Sequence, residues 1–210
     1  MKETPEKPAP MLRVAVMGAG AVGGYLGGLL ARAGHDVTLI ARGEHLLAIQ
    51  SNGLRINSQS NGSFTVPVKA TDSPREVGPL DLVLYTVKTY DDESALPIVR
   101  PLVDSGTTVL SLQNGVDSWQ RLQVNLPADS VLPGAVYIEA SVESPGVVKQ
   151  QGQVYRLVLG EADGSITPRL QPIVGAFQDT GLPTEASSSI LNVLWSKWLF
   201  ITTLAGVTTA

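Results

Sequence analysis

The chain has 210 residues, 43% of them apolar and 16% charged, with a net charge of -4. Its length and apolar content provide a buried core and exclude a chain disordered throughout. The acidic balance gives no reason to expect nucleic acid or an anionic membrane as partner; zero cysteines exclude disulfides and thiolate metal sites, and two histidines are too few for a histidine-based zinc site.

In residues 1–10, Pro5, Pro8 and Pro10 stand among Lys2, Glu3, Glu6 and Lys7. They lack the apolar core of a signal peptide and read as a disordered lead-in. Residues 13–17 are an apolar β-type run that feeds Gly18-Ala19-Gly20-Ala21-Val22-Gly23. Residues 21–33 repeat small and apolar side chains at helical spacing, and Gly34 supplies the C-terminal cap. A G-x-G-x-x-G between a strand and a helix is the context a dinucleotide fingerprint requires. Gly18 suits the tight turn, Gly20 the approach of backbone to a pyrophosphate, and Gly23 the close packing of helix on strand. Ala19, Ala21 and Val22 complete a loop whose N–H groups and helix dipole would face the phosphates. A ligand-free glycine turn accounts for this pattern less well.

Residues 36–41 read as the second strand of a βαβ unit. A carboxylate at the end of this strand accepts bonds from a ribose 2'-hydroxyl and repels a 2'-phosphate. Here Arg42 holds that place, and a guanidinium fork favours a phosphate and hence NADP. A solvated surface arginine, with Glu44 nearby, is the plainer alternative. Residues 43–52 form a helix capped by Gly53, and residues 54–57 and 64–68 flank Asn61-Gly62 as a hairpin at a sheet edge, where Pro67 is tolerated.

Residues 80–87 are an apolar strand for the middle of a parallel sheet, and they deliver Lys88 to the strand ends that line the ligand crevice. A helix over 91–102 is interrupted by Pro97. The strand over 107–112 carries Gln113-Asn114-Gly115 to the same edge. The amide of Asn114 suits a carboxylate or amide ligand, although Asn-Gly also makes a tight turn unaided.

A helix follows over 116–125, then strands over 131–140, 146–150 and 154–160, with turns at Ser144-Pro145-Gly146 and Gln151-Gly152. Residues 168–180 read as a helix and 183–186 as a short strand. Ser187-Ser188-Ser189 caps a helix over 190–204 that is apolar almost all round and so should be buried on several sides. Lys197 and several threonines argue against a membrane span there. Its covering would come from a partner chain or from further residues of a longer protein, and the second is the expectation.

Gly18-Ala19-Gly20-Ala21-Val22-Gly23, Arg42, Val87-Lys88-Thr89-Tyr90-Asp91, Leu112-Gln113-Asn114-Gly115 and Leu194-Trp195-Ser196-Lys197, in this order, resemble ketopantoate reductase (2-dehydropantoate 2-reductase). The resemblance implies an α/β, Rossmann-type, doubly wound and mostly parallel sheet over residues 11–187. Residues 188–210 would then begin an all-α substrate and dimerisation domain, most of which is missing. It also implies that Arg42 holds the 2'-phosphate of NADPH, that Lys88 and Asn114 sit near the nicotinamide and the substrate, and that Lys197 is the general acid. Physical chemistry makes that last role reasonable, since an ammonium both stabilises a developing alkoxide and protonates it. Burial would lower the lysine pKa toward working pH. A lysine snorkelling from an apolar helix is the alternative.

The implied function is cytoplasmic, NADPH-dependent reduction of a small 2-oxo acid to a 2-hydroxy acid, by a homodimer formed through the C-terminal helical region. Two departures qualify it. Ile201 and Ala205 stand where the family pattern has asparagines, which opens the reading to a more apolar 2-oxo acid or another ketone. The family's helical domain, which supplies a serine and a glutamate to the site, is absent, so the chain alone is expected to be incomplete for catalysis. A non-catalytic NADP-binding redox sensor or interaction module is the second hypothesis.

Overall fold

The computed structural model of the chain describes residues 10–208, so the lead-in expected over residues 1–10 lies, apart from Pro10, outside the described residues. In chain order the elements are β1 (Arg13–Met17), α1 (Ala21–Arg32), β2 (Asp36–Ile40), α2 (Gly43–Asn52), β3 (Leu54–Ser58), β4 (Gly62–Val66), β5 (Lys69–Thr71), β6 (Leu82–Tyr85) and α3 (Asp92–Val99). There follow β7 (Thr108–Ser111), α4 (Ser118–Asn125), β8 (Val131–Ser144), β9 (Val147–Leu159), α5 (Leu170–Gln178), β10 (Thr184–Ala186) and α6 (Ile190–Thr208).

The strand order is β4-β3-β9-β8-β7-β6-β1-β2-β5, with β10 beside β9. From β5 to β8 every pairing is parallel. In the middle of this run β1, β6 and β7 are apolar and buried on both faces because helices cover both. In β1, Val14 and Val16 join one core cluster with Tyr25, Leu26 and Leu29 of α1, while Ala15 and Met17 join the other with Trp119 and Leu122 of α4. The period-two alternation of a strand thus divides the core between the two sides of the sheet. The result is an α/β, mostly parallel, Rossmann-type sheet.

Beyond β8 the sheet changes character. β8 turns at Ser144-Pro145-Gly146 and returns as the antiparallel β9, and the hairpin of β3 and β4 adds to the far side of β9. The expected turn at Gln151-Gly152 is not one: β9 runs straight through it. Gly152 takes φ +86° there, opposite a register shift between Tyr137 and Glu139. A left-handed glycine inside an antiparallel ladder makes a bulge as readily as a turn, and Gln59 Oε1 accepts the Gly152 N–H at 3.0 Å. β5, an edge strand of three residues, is too short to show a period in the sequence.

Within this chain α6 is covered on one side. One face packs on β8, burying Ile190, Leu194 and Lys197, but Trp195, Trp198, Leu199, Phe200 and Leu204 remain exposed. Apolar composition states what a helix can bury, while the neighbouring surfaces decide what it does bury. Trp195 and Trp198 pack edge to face on the exposed side, with centroids 5.7 Å apart. No helix among the described residues is long and apolar enough to cross a membrane.

Candidate active site

Two clefts open along the C-terminal ends of the parallel strands and meet at Val87. The first, about 350 Å³, is lined by Gly18, Ala19, Gly20, Arg42 and His45 among others. The second, about 560 Å³, is lined by Lys88, Asn114, Tyr137, Lys197 and Ile201 among others. Residues from β1, β2, β6, β7 and α6 are therefore gathered at one edge, where an open α/β sheet binds its ligands.

The glycine loop has the shape its sequence requires. Gly18 adopts φ +94°, and a Cβ there would lie 2.8 Å from Val87 Cγ1. A Cβ on Gly23 would overlap the Gly18 carbonyl oxygen and Thr86 Oγ1, so only glycine lets α1 sit this close to β1 and β6. A Cβ on Gly20 would meet nothing within 4 Å. The backbone at Gly20 thus faces open cleft at the N-terminus of α1, whose first N–H groups have no intrahelical acceptor. Such an N-terminus suits a phosphate group, and the loop fits a dinucleotide pyrophosphate.

Arg42 is the exposed residue at the N-terminus of α2, directly after β2 and Ala41, and it lines the first cleft. Among the described residues no carboxylate lies within ion-pair distance of it, Glu44 included. His45, one turn along, was not singled out by the sequence beyond its unsuitability for metal. Its ring bridges two parts of the cleft. The Gly146 N–H donates to Nδ1 at 3.0 Å, which leaves Nε2 to carry the proton toward Ala19 O at 2.9 Å. The β8–β9 turn and the glycine loop are thereby tied together through one side chain.

In the second cleft the decisive residue is Lys197. It is 8% exposed, and its ammonium donates to Asn114 Oδ1 at 3.0 Å. The Tyr137 ring centroid lies 5.5 Å from Nζ, a weak cation–π contact. Burial lowers the Lys197 pKa from 10.5 to about 8. A snorkelling lysine would carry its charge into water, and this one does not. Gly115 takes φ +114°, as the turn reading of Asn114-Gly115 requires, and Asn114 Oδ1 accepts the Lys197 ammonium.

Lys88 lines the cleft as an exposed side chain after β6. Gln113, which the sequence showed only as part of a longer match, ties the strand ends together. Its Nε2 donates to Val87 O at 3.0 Å and to Asp92 Oδ1 at 2.7 Å, and Tyr85 OH donates to the same carboxylate oxygen at 3.1 Å. Thr86 Oγ1 donates to Gly18 O at 2.8 Å and so joins β6 to the glycine loop. Ile201, one turn beyond Lys197, lines the second cleft, whereas Ala205 is not among its lining residues.

A glycine loop shaped for a dinucleotide pyrophosphate, joined to a cleft that holds a buried lysine, places the chain in the class of Rossmann-type α/β dinucleotide-binding folds. The chain belongs, more narrowly, to the Ketopantoate reductase PanE/ApbA family, whose sequence profile matches residues 14–164. A 2-dehydropantoate 2-reductase of Halobacterium salinarum is 36% identical over 191 residues, covering 90% of this chain and 62% of that protein. The crystal structure of 2-dehydropantoate 2-reductase from Porphyromonas gingivalis W83 superposes with a TM-score of 0.88 at 31% identity, over 95% of this chain and 72% of that one. D-mandelate dehydrogenase, solved with NADH and anilino(oxo)acetate, matches with a TM-score of 0.78 at 25% identity, over 88% of this chain and 59% of that one. The chain spans 65% and 63% of two further curated relatives, an oxidoreductase of Bacillus subtilis and a 2-dehydropantoate 2-reductase of Mesorhizobium japonicum.

Proposed function

We propose that the protein is a cytoplasmic, NADPH-dependent reductase of a 2-oxo acid, with residues 11–187 as its dinucleotide-binding domain and residues 188–210 opening the substrate domain. The observation that carries this reading is the buried Lys197 ammonium beside Asn114, in a cleft that meets the glycine-loop cleft at Val87. The loop from Gly18 to Gly23 receives the pyrophosphate, and Arg42, which no carboxylate among the described residues occupies, receives the 2'-phosphate. Held there, the reduced dinucleotide would supply the hydride that the ketone carbon accepts.

As the carbonyl π bond breaks, negative charge develops on its oxygen. Lys197 stabilises that charge across a hydrogen bond and then gives up its proton, so that a hydroxyl forms and the neutral amine is later reprotonated from water. With a pKa of about 8 the amine is protonated at neutral pH yet close enough to its pKa to release the proton. Asn114 orients the ammonium through its Oδ1 and leaves its amide N–H groups for the substrate or the nicotinamide carboxamide. Lys88, on the adjoining strand end, offers a second positive charge for the substrate carboxylate. A homodimer through the helical region is the assembly proposed.

A non-catalytic sensor is the less favoured reading, because a dinucleotide-binding module has no use for a desolvated ammonium outside the phosphate cleft. The test is NADPH oxidation by the full-length protein with a panel of 2-oxo acids. Turnover that needs both NADPH and the acid supports the reductase, and tight NADPH binding without turnover of any acid contradicts it.

A further inference from the structure

We infer that Gln113 accepts a hydrogen bond from the carboxamide N–H of the nicotinamide and so helps to set that ring against Lys197. The inference rests on the reductase reading above and deepens it. Gln113 is 5% exposed and lines the second cleft. Its Oε1 is, among the described residues, the one buried side-chain polar atom without a hydrogen-bond partner. Most such atoms in folded proteins are paired, and one left alone costs free energy.

Turning the amide over does not remove that cost. Nε2 donates to Val87 O at 3.0 Å and to Asp92 Oδ1 at 2.7 Å, a carbonyl and a carboxylate that only accept. A flipped amide would set Oε1 against both, so these two partners fix its orientation. The bond to Val87 O also holds Gln113 where the two clefts meet. A dinucleotide with its pyrophosphate on the glycine loop passes that point to bring its nicotinamide to Lys197.

What Oε1 lacks is a donor. A 2-oxo acid anion presents carboxylate and ketone oxygens, which accept, whereas the nicotinamide carboxamide carries two N–H donors beside one carbonyl oxygen. Asn114, the next residue, has the complementary group, because its Oδ1 is taken by Lys197 and its Nδ2 retains N–H groups to give. Consecutive side chains after β7, both lining the second cleft, thus offer an acceptor for the carboxamide N–H and a donor for its oxygen. Since Oε1 is covered, the N–H reaches it as cleft side chains shift around the ring, a rotamer-scale adjustment common on binding.

The reduced 3-acetylpyridine analogue of NADPH replaces the carboxamide NH2 by a methyl group and keeps the carbonyl oxygen and the ribose. In calorimetric titrations of the full-length protein, NADPH is expected to bind roughly fivefold to a hundredfold more tightly than the analogue. In Gln113→Met and Gln113→Leu, each checked by a thermal melt, that ratio should fall to within about twofold of unity, even where both affinities drop through loss of the bonds to Val87 and Asp92. Equal affinities in the wild type would overturn the inference without any variant, because a buried water or a ribose hydroxyl at Oε1 would serve both cofactors alike. An unchanged ratio in a folded variant would overturn it too. Neither result touches the reductase reading, which falls if NADPH does not bind or is oxidised with no 2-oxo acid.

Discussion

Lys197 Nζ lies 3.0 Å from Asn114 Oδ1, a hydrogen bond between residues 83 positions apart that joins α6 to the end of β7. It links α6, which packs on β8, to the ligand edge of the sheet. Because Lys197 is otherwise surrounded by apolar groups, the same contact holds an ammonium where water does not solvate it. Its chemistry follows from that placement.

The pH dependence has a definite sign. Reduction needs the protonated amine, and burial lowers its pKa to about 8. For the reduction of a 2-oxo acid, kcat/KM should therefore hold level below pH 8 and fall as pH rises beyond it, and Lys197→Arg, whose guanidinium keeps its proton, should lower the rate and remove that fall. Initial rates of NADPH oxidation at constant ionic strength between pH 6 and 10 check this.

Stability should move the other way with pH. The unfolded lysine keeps its proton up to its ordinary pKa of 10.5, while the folded one releases it near 8, so between these values the unfolded chain binds more protons. Stability should rise with pH across that window, because the burial penalty on the charged form applies in full only below it. The depression corresponds to a penalty on the order of 3 kcal/mol at neutral pH. Lys197→Met should recover part of it, raising stability at pH 7 by about 1–3 kcal/mol in a denaturant titration.

Arg42 should distinguish the two nicotinamide cofactors. Arg42→Ala should weaken NADPH roughly tenfold to a hundredfold, as expected for the loss of a charge-assisted pair, and leave NADH nearly unchanged. Calorimetric titration with each cofactor decides it, and equal losses would refute a 2'-phosphate role.

The glycines at positions 20 and 23 should fail differently. An Ala Cβ at Gly20 meets nothing within 4 Å, so Gly20→Ala should fold with normal stability but bind the dinucleotide poorly. At Gly23 the Cβ collides with the Gly18 carbonyl oxygen and Thr86 Oγ1, so Gly23→Ala should cost about 1–3 kcal/mol of stability or more. Thermal melts with and without NADPH separate the two effects.

How far the sequence reveals the fold varies from element to element, for physical reasons. The expected bounds of the first strand and of the helix ending at Asn52 agree with β1 and α2, because turn glycines punctuate strong local patterns there. Gly18, Gly20 and Gly23 carry their roles in their spacing. The continuity of β9 through Gly152 was not legible, since a left-handed glycine serves a turn and a bulge alike. The bridge made by His45 was hidden because Gly146 lies 101 residues away. For Lys197, a lysine on an apolar helix is compatible with both snorkelling and burial, and only the position of α6 on β8 decides between them. The exposed tryptophan face of α6 shows the converse, that apolar residues indicate what can be covered and not what covers it.

The most direct test of the account is turnover by Lys197→Met in the full-length protein, measured with saturating NADPH and a 2-oxo acid that the wild type reduces. Because this substitution is expected to stabilise the fold, a loss of activity cannot be ascribed to unfolding. The account predicts that kcat falls by about a hundredfold to ten-thousandfold while the NADPH dissociation constant stays within about twofold. Turnover at the wild-type rate would contradict it.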